Sequence, residues 1–298
     1  MNLFDEIDRQ PLPLDHPDFC DLSKLEADLL GAVGGWEAFE ERLRGFFRSA
    51  IDEVIDTART GRFFFSELEK TEKTYLGTKF EIILRDWLDV PKGIKLDLLV
   101  GGEEVDVKSS TSAEKGGWMI PPEAFGELCI LIKVNEKAAL CDFGLARART
   151  EYLRSGSNRD AKTSFSAAGQ KNIWWMARGF QYTSNFWSRI SDVDREFITT
   201  RSSGTKRIVA LFERCQGIGI SRVQIAAVAR EADYMKRVRG NRGARDHLSP
   251  QGIAVLYSEA DGPLMRKLGL KFGSREFVSY TAKNSTELAM LKAADRLD

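Results

Sequence analysis

Between residues 71 and 110 the chain changes its apolar period from that of a helix to that of a strand, and a Gly-Gly pair marks the middle of the new pattern. Leu76, Phe80, Ile83, Leu84, Trp87 and Leu88 keep the i, i+4, i+7, i+8 spacing of a helix with one buried stripe, which predicts a helix over about 71–88. KLDLLV and EVDVKS then alternate with period two on either side of Gly101 and Gly102. Gly-Gly suits the positive φ angles of a two-residue hairpin turn, so a helix running into a β-hairpin is the first constraint on the fold.

If the turn is two residues long, Val100 faces Glu103 and Asp97 lies opposite Asp106. Asp97, Asp106 and Lys108 then share one face with Lys95 and Glu104, while Leu96, Leu98, Val100, Val105 and Val107 face the core. A four-residue loop preserves the faces; a three-residue loop does not. Two opposed aspartates repel one another, and a divalent cation between them removes that cost. Oxygen-only ligands favour magnesium over zinc. Lys108 projects into the same site, where it can orient an attacking water and stabilise charge on a phosphate. This D…DxK arrangement is the one restriction-type nucleases use; an exposed, charge-striped hairpin would show the same pattern. Glu81, on the preceding helix, is a further candidate ligand, with an i, i+4 pair to Arg85 as its plainer role.

Elsewhere, residues 23–58 read as helical, interrupted at GAVGG. ELCILIKV (127–134) reads as a central strand and KAALCDFGLA (137–146) as another, giving an α/β core. Residues 147–200 carry little periodic signal, and a domain boundary falls between 175 and 190, set here at 178/179. The four cysteines form no CxxC pair and there are two histidines, which disfavours a zinc site. Cys129 reads as a small buried residue. No apolar run reaches the roughly 20 residues of a membrane span, and the start of the chain lacks the pattern of a signal peptide, so a cytoplasmic protein is expected.

The formal net charge is zero, but its distribution is uneven. Residues 1–75 hold 17 acids and 9 bases, whereas residues 201–250 hold 11 bases and 4 acids. A basic segment inside a neutral chain is the footprint of a phosphate-binding surface. Within it, Ser221 is a helix N-cap, a second helix is expected after Ala232, Gly262-Pro263 reads as a turn, and REFVSYTA reads as a strand. Helix-turn-helix plus wing accounts for this order. Lys236, Arg237, Arg239, Arg242 and Arg245 follow one another without an intervening acid, and Gly240 and Gly243 allow close backbone approach, so these five are the candidate DNA contacts.

Several long blocks, RTGRFFFSELEKTEKTYLGTKFEI (59–82), GEEVDVKSS (102–110), GWMIPPEAFGELCILI (117–132), NRD (158–160) and ADYMKRVRGNRGARDHLSPQGI (232–253), resemble the NaeI-type, type IIE restriction endonucleases. The resemblance implies a restriction-endonuclease-like PD-(D/E)xK domain over 1–178 and a mainly helical, catabolite-activator-like winged helix-turn-helix domain over 179–298. It maps the family's metal-site glutamate, two aspartates and lysine onto Glu81, Asp97, Asp106 and Lys108. Val107 stands where the type member has cysteine, and its backbone carbonyl can still ligate Mg2+. The resemblance also implies a homodimer that binds two copies of a GC-rich palindrome, one to be cut and one as effector.

The expected activity is therefore Mg2+-dependent, sequence-specific cleavage of double-stranded DNA leaving 5′-phosphate ends, in a prokaryotic cytoplasm at the nucleoid. The alternatives are a nicking or repair nuclease with the same core, and a DNA-binding regulator with a vestigial nuclease domain.

Overall fold

The computed structural model describes residues 7–111, 117–156 and 159–297. Asn158, part of the NRD block, lies outside the described residues. The chain divides into two compact units, one formed by residues 1–55 with 65–184 and the other by residues 56–64 with 185–298. The boundary expected at 178/179 falls inside a strand. The short 56–64 segment joins the second unit despite its place early in the chain.

In the first unit, strand β1 (Asp8–Gln10) precedes helices α1 (Phe19–Val33) and α2 (Trp36–Ile55). Gly34, at φ 93°, and Gly35, at φ 99°, separate these two helices, as GAVGG predicts. The four-residue α3 (Thr57–Thr60) belongs to the second unit. Helix α4 (Lys70–Leu88) follows, and then β2 (Leu98–Val100), β3 (Glu103–Ser110), β4 (Leu128–Asn135), β5 (Leu140–Arg147) and β6 (Trp174–Gln181). The strands form one mixed sheet in the order β1-β6-β5-β4-β3-β2. The β3–β4 pair is parallel and the other neighbours are antiparallel.

Both faces of the sheet are covered, which is why β4 reads as an unbroken apolar run. Leu128, Ile130, Ile132 and Val134 join the core beneath α1, α2 and α4, together with Leu76, Phe80, Leu84 and Leu88 of α4. Cys129 and Leu131 face the second core, with Trp118, Ile120, Phe165 and Trp175. A reciprocal capping box between Glu69 and Glu72 starts α4.

The β2–β3 turn is two residues long, with Gly101 at φ 57° and Gly102 at φ 86°, and it pairs Val100 with Glu103 and Leu98 with Val105. Leu98, Val100, Val105 and Val107 lie in the helix-side core as expected. Leu96 does not: it is buried in the opposite core. The reason is that β2 begins only at Leu98. Glu104 accepts the N–H groups of Ile94 and Leu96 at 2.7 and 2.8 Å, so a side chain takes the place of the ladder and the alternation fails there.

The second unit contains α5 (Asp192–Thr199), α6 (Gly204–Arg214), α7 (Arg222–Ala229), α8 (Ala244–Leu248), α9 (Ser258–Lys267) and α10 (Ser285–Ala293). An antiparallel pair, β7 (Ile253–Tyr257) and β8 (Phe277–Thr281), packs with them. Ser221 caps α7 in a capping box with Gln224. Two expectations are corrected. The second helix after Ala232 is broken into a single 3₁₀ turn, Tyr234–Arg237, and the five-residue α8. Asn241 at φ 65° and Arg242 at φ 71° break it, and at Gly243 a Cβ would strike the Arg239 carbonyl. Gly262-Pro263 is no turn but lies inside α9. The proline removes one helical N–H. Buried Met265 and Asp261, the latter bonded to Tyr257 N–H and the Arg296 guanidinium, hold the helix through it.

Candidate active site

The site is built where β2 stops short of its partner. Asp97, just before β2, accepts the Val107 N–H through Oδ2 at 2.8 Å. N–H and C=O of one strand residue point to the same edge, so the Val107 carbonyl faces the same opening. Lys108 Nζ reaches that carbonyl at 3.2 Å. The same ammonium donates to Asp106 Oδ1 at 2.6 Å and lies 3.7 Å from Asp97 Oδ2. Three of the four expected residues, and the Val107 carbonyl, therefore converge on one point.

Asp106 is 3% exposed, and its Oδ2 is buried with no hydrogen-bond partner. Burial pushes its carboxyl up to about 6. Lys108 opposes that shift and the Asp97 charge adds to it. Burial would lower Lys108, but its bond to Asp106 and the charges of both aspartates outweigh this and hold the ammonium above its ordinary value.

Glu81 contributes from α4. Burial raises its carboxyl, and the Asp97 charge raises it further, against Arg85, Lys108 and Lys92. The glutamate thus feels both Asp97 and Lys108. Among the described residues, no three acids, histidines or cysteines stand in metal-holding geometry, so Glu81 is a neighbour of the pair and not a third member of a formed cage.

Lys95 and Glu104, expected on the same face, are engaged elsewhere. Lys95 pairs with Glu127 at 2.7 Å, and Glu104 caps the 94–96 backbone. Sequence reading did not place Cys129 here. The parallel register sets it beside Asp106, and burial pushes its thiol up, so it is a neutral wall and not a nucleophile. Only the β3–β4 pairing, far apart in sequence, could have shown this.

The five basic candidates of the second unit divide. Lys236, Arg239 and Arg242 are exposed. Arg237 donates to Glu231 Oε2 at 2.7 Å. Arg245 departs from the expected surface contact. It lines a recess of about 380 Å³ with Asp246, Asp295 and Arg296. Burial, then the Arg296 charge, lowers its pKa, and its Nε is buried without a partner.

The family model described as "Restriction endonuclease NaeI" matches residues 39–286, which include every candidate residue above. The type II restriction enzyme NaeI of Lentzea aerocolonigenes is 34% identical over 268 residues, covering 87% of this chain and 82% of that enzyme. The six-stranded mixed sheet with its flanking helices is consistent with the restriction-endonuclease-like fold. Matched over most of its length by both comparisons, and carrying the Asp97, Asp106 and Lys108 constellation on its sheet, the chain belongs to the NaeI restriction endonuclease family.

Proposed function

We propose that the protein is a type II restriction endonuclease that hydrolyses both strands of a specific DNA sequence, with Mg2+ as cofactor and 5′-phosphate ends as product. The observation that carries this reading is the convergence of Asp97, Asp106 and Lys108 on the open edge of β3.

The residues fit a hard divalent cation. All donors are oxygens, and one of them, Asp106 Oδ2, is buried without a partner. Asp97, Asp106, the Val107 carbonyl and Glu81 would hold the ion. When bound, Mg2+ supplies Lewis-acid polarisation of the phosphate and lowers the pKa of a bound water. Lys108 keeps its proton and so places a positive charge where the phosphorane builds negative charge. Asp97 fixes the Val107 backbone, and with it the line of β3 on which Asp106 and Lys108 stand.

The second unit serves as a winged-helix DNA-binding domain. Capped α7, the short α8 and the β7–β8 pair supply its parts, and Lys236, Arg239 and Arg242 are its exposed phosphate or base contacts. Arg237, half-buried and paired with Glu231, is a further contact in this proposal. A homodimer suits a palindromic site, because protein and DNA then share a two-fold axis. Binding of two duplexes per dimer, one as effector, completes the proposal. Among the described residues no helix is long and apolar enough to cross a membrane.

The test is digestion of plasmid DNA by the purified protein with magnesium, followed by sequencing of the ends. Fixed double-strand breaks with 5′-phosphates support the reading. Breaks in one strand only would favour a nicking enzyme.

A further inference from the structure

A second polar site lies along α4 from the candidate active site. The first turns of α4 and the end of β3 enclose a recess of about 480 Å³, lined by Lys70, Lys73, Thr74, Ser109, Ser110 and Thr111. Two cations and a run of hydroxyls form it, and among the described residues no carboxylate lines it. The acids nearest in sequence, Glu69 and Glu72, are turned onto each other's backbone N–H groups in the capping box. That same box occupies the N–H groups of Glu69 and Glu72, which leaves the lysine side chains as the charged donors of the recess.

The lysines are placed for this. Lys70 is exposed. Lys73 donates to the Ser66 carbonyl at 3.3 Å, which steadies an ammonium that has three donors. The Thr74 hydroxyl is committed to the Lys70 carbonyl at 2.9 Å, and Ser109 and Thr111 add hydroxyls to the lining. Gly77 lets α4 approach this strand end, since a Cβ there would meet Ser109 Oγ at 3.0 Å.

The recess lies on the same helix and strand as the candidate active site. Ser109 follows Lys108 directly on β3, and Glu81 lies further along α4. Three strand residues from Lys108 to Thr111 span about 10 Å. Eight helical residues from Lys73 to Glu81 span about 12 Å. One strand rises about 3.4 Å per nucleotide along the duplex axis and also winds around it, so this is the reach of about two nucleotides.

We propose that this recess binds a non-scissile phosphate of the strand being cut, about two nucleotides from the cleaved bond, with Lys70 and Lys73 as its positioning residues. This rests on the nuclease reading above. The recess sets the register of the strand on β3, while Lys108 and the two aspartates act on the bond that breaks.

The test uses the full chain in magnesium-free buffer with mixed-sequence duplex DNA, where binding is read without cleavage. Affinity is measured against salt for the wild type, K70A, K73A, K70A/K73A, K70R and K73R. For one phosphate the two alanines together should flatten the log K versus log[salt] slope by about 0.9, each single alanine by part of that, and each arginine should restore it. Alanine slopes equal to wild type overturn the proposal. Arginine variants as weak as the alanines also overturn it, because the lysines would then be structural. A wild type that binds DNA but never cuts it would defeat the nuclease reading and leave these slopes to judge the recess alone. On the cut site, neutral methylphosphonates are placed one at a time along the cleaved strand. At a single phosphate about two nucleotides from the break, substitution should weaken the wild type but not K70A/K73A. The absence of any such phosphate contradicts the assignment.

Discussion

Asp97 Oδ2 takes the N–H of Val107 at 2.8 Å, filling the place in the sheet that β2 leaves because it starts one residue later. One carboxylate is therefore both a ladder partner and a candidate metal ligand. The two roles separate by mutation. Asp97→Ala should lose cleavage and about 1–3 kcal/mol of stability, since a partly buried N–H is left without a partner. Asp97→Asn keeps an acceptor and should retain most of the stability while still losing cleavage. Urea unfolding beside a plasmid assay checks both; equal stability loss in the two variants would deny the ladder role.

Metal identity gives a second outcome. An oxygen-only site accepts calcium and magnesium, but calcium is larger and a weaker Lewis acid. Calcium should support specific DNA binding without turnover and magnesium should support both. Full cleavage in EDTA would rule out the metal-dependent chemistry.

The hairpin and α4 were legible because their signals are local. Alternation about Gly101-Gly102 and the stripe Leu76, Phe80, Leu84 and Leu88 need no distant partner to be read. What was not legible is set by contacts and backbone detail that local alternation does not carry. Leu96 changes sides because Glu104 displaces the ladder. Strand β6 was missed because its pairing with β5 is irregular near Phe143 and because Gly179 sits at φ 58°. Arg245 looks like a surface base until Arg296 and Asp295 are placed around it. The 56–64 segment joins the second unit, which no composition shift marks.

Glu104 makes this corner of the fold pH-sensitive. Backbone N–H bonds from Leu96, Ile94 and Lys95 hold its carboxyl below the ordinary 4.5. A depressed folded-state value means the charged form stabilises the fold. Its contribution is therefore complete above pH 4.5 and is lost as pH falls below that value through the folded one. The stability difference between wild type and Glu104→Gln should be constant above that pH and shrink below it. A difference that grows on acidification would reverse the sign and contradict the assignment.

The basic segment should divide as the structure divides it. Lys236→Ala, Arg239→Ala and Arg242→Ala, at exposed positions, should each flatten the salt dependence of DNA binding by about one unit if they touch phosphate. A base-reading arginine should instead cost about 1–3 kcal/mol on the cognate site alone. Arg245→Ala, in its recess, should change neither quantity. A strong loss of DNA affinity in a folded Arg245→Ala protein would return that residue to the interface.

The central claim is that the Asp106–Lys108 pair on β3 performs cleavage and does not merely hold DNA. The most direct measurement compares wild type, Asp106→Ala and Lys108→Ala for plasmid cleavage in magnesium and for duplex binding by the same preparations. The account predicts that both variants bind duplex nearly as wild type does and lose cleavage. Wild-type cutting rates in either variant would contradict it.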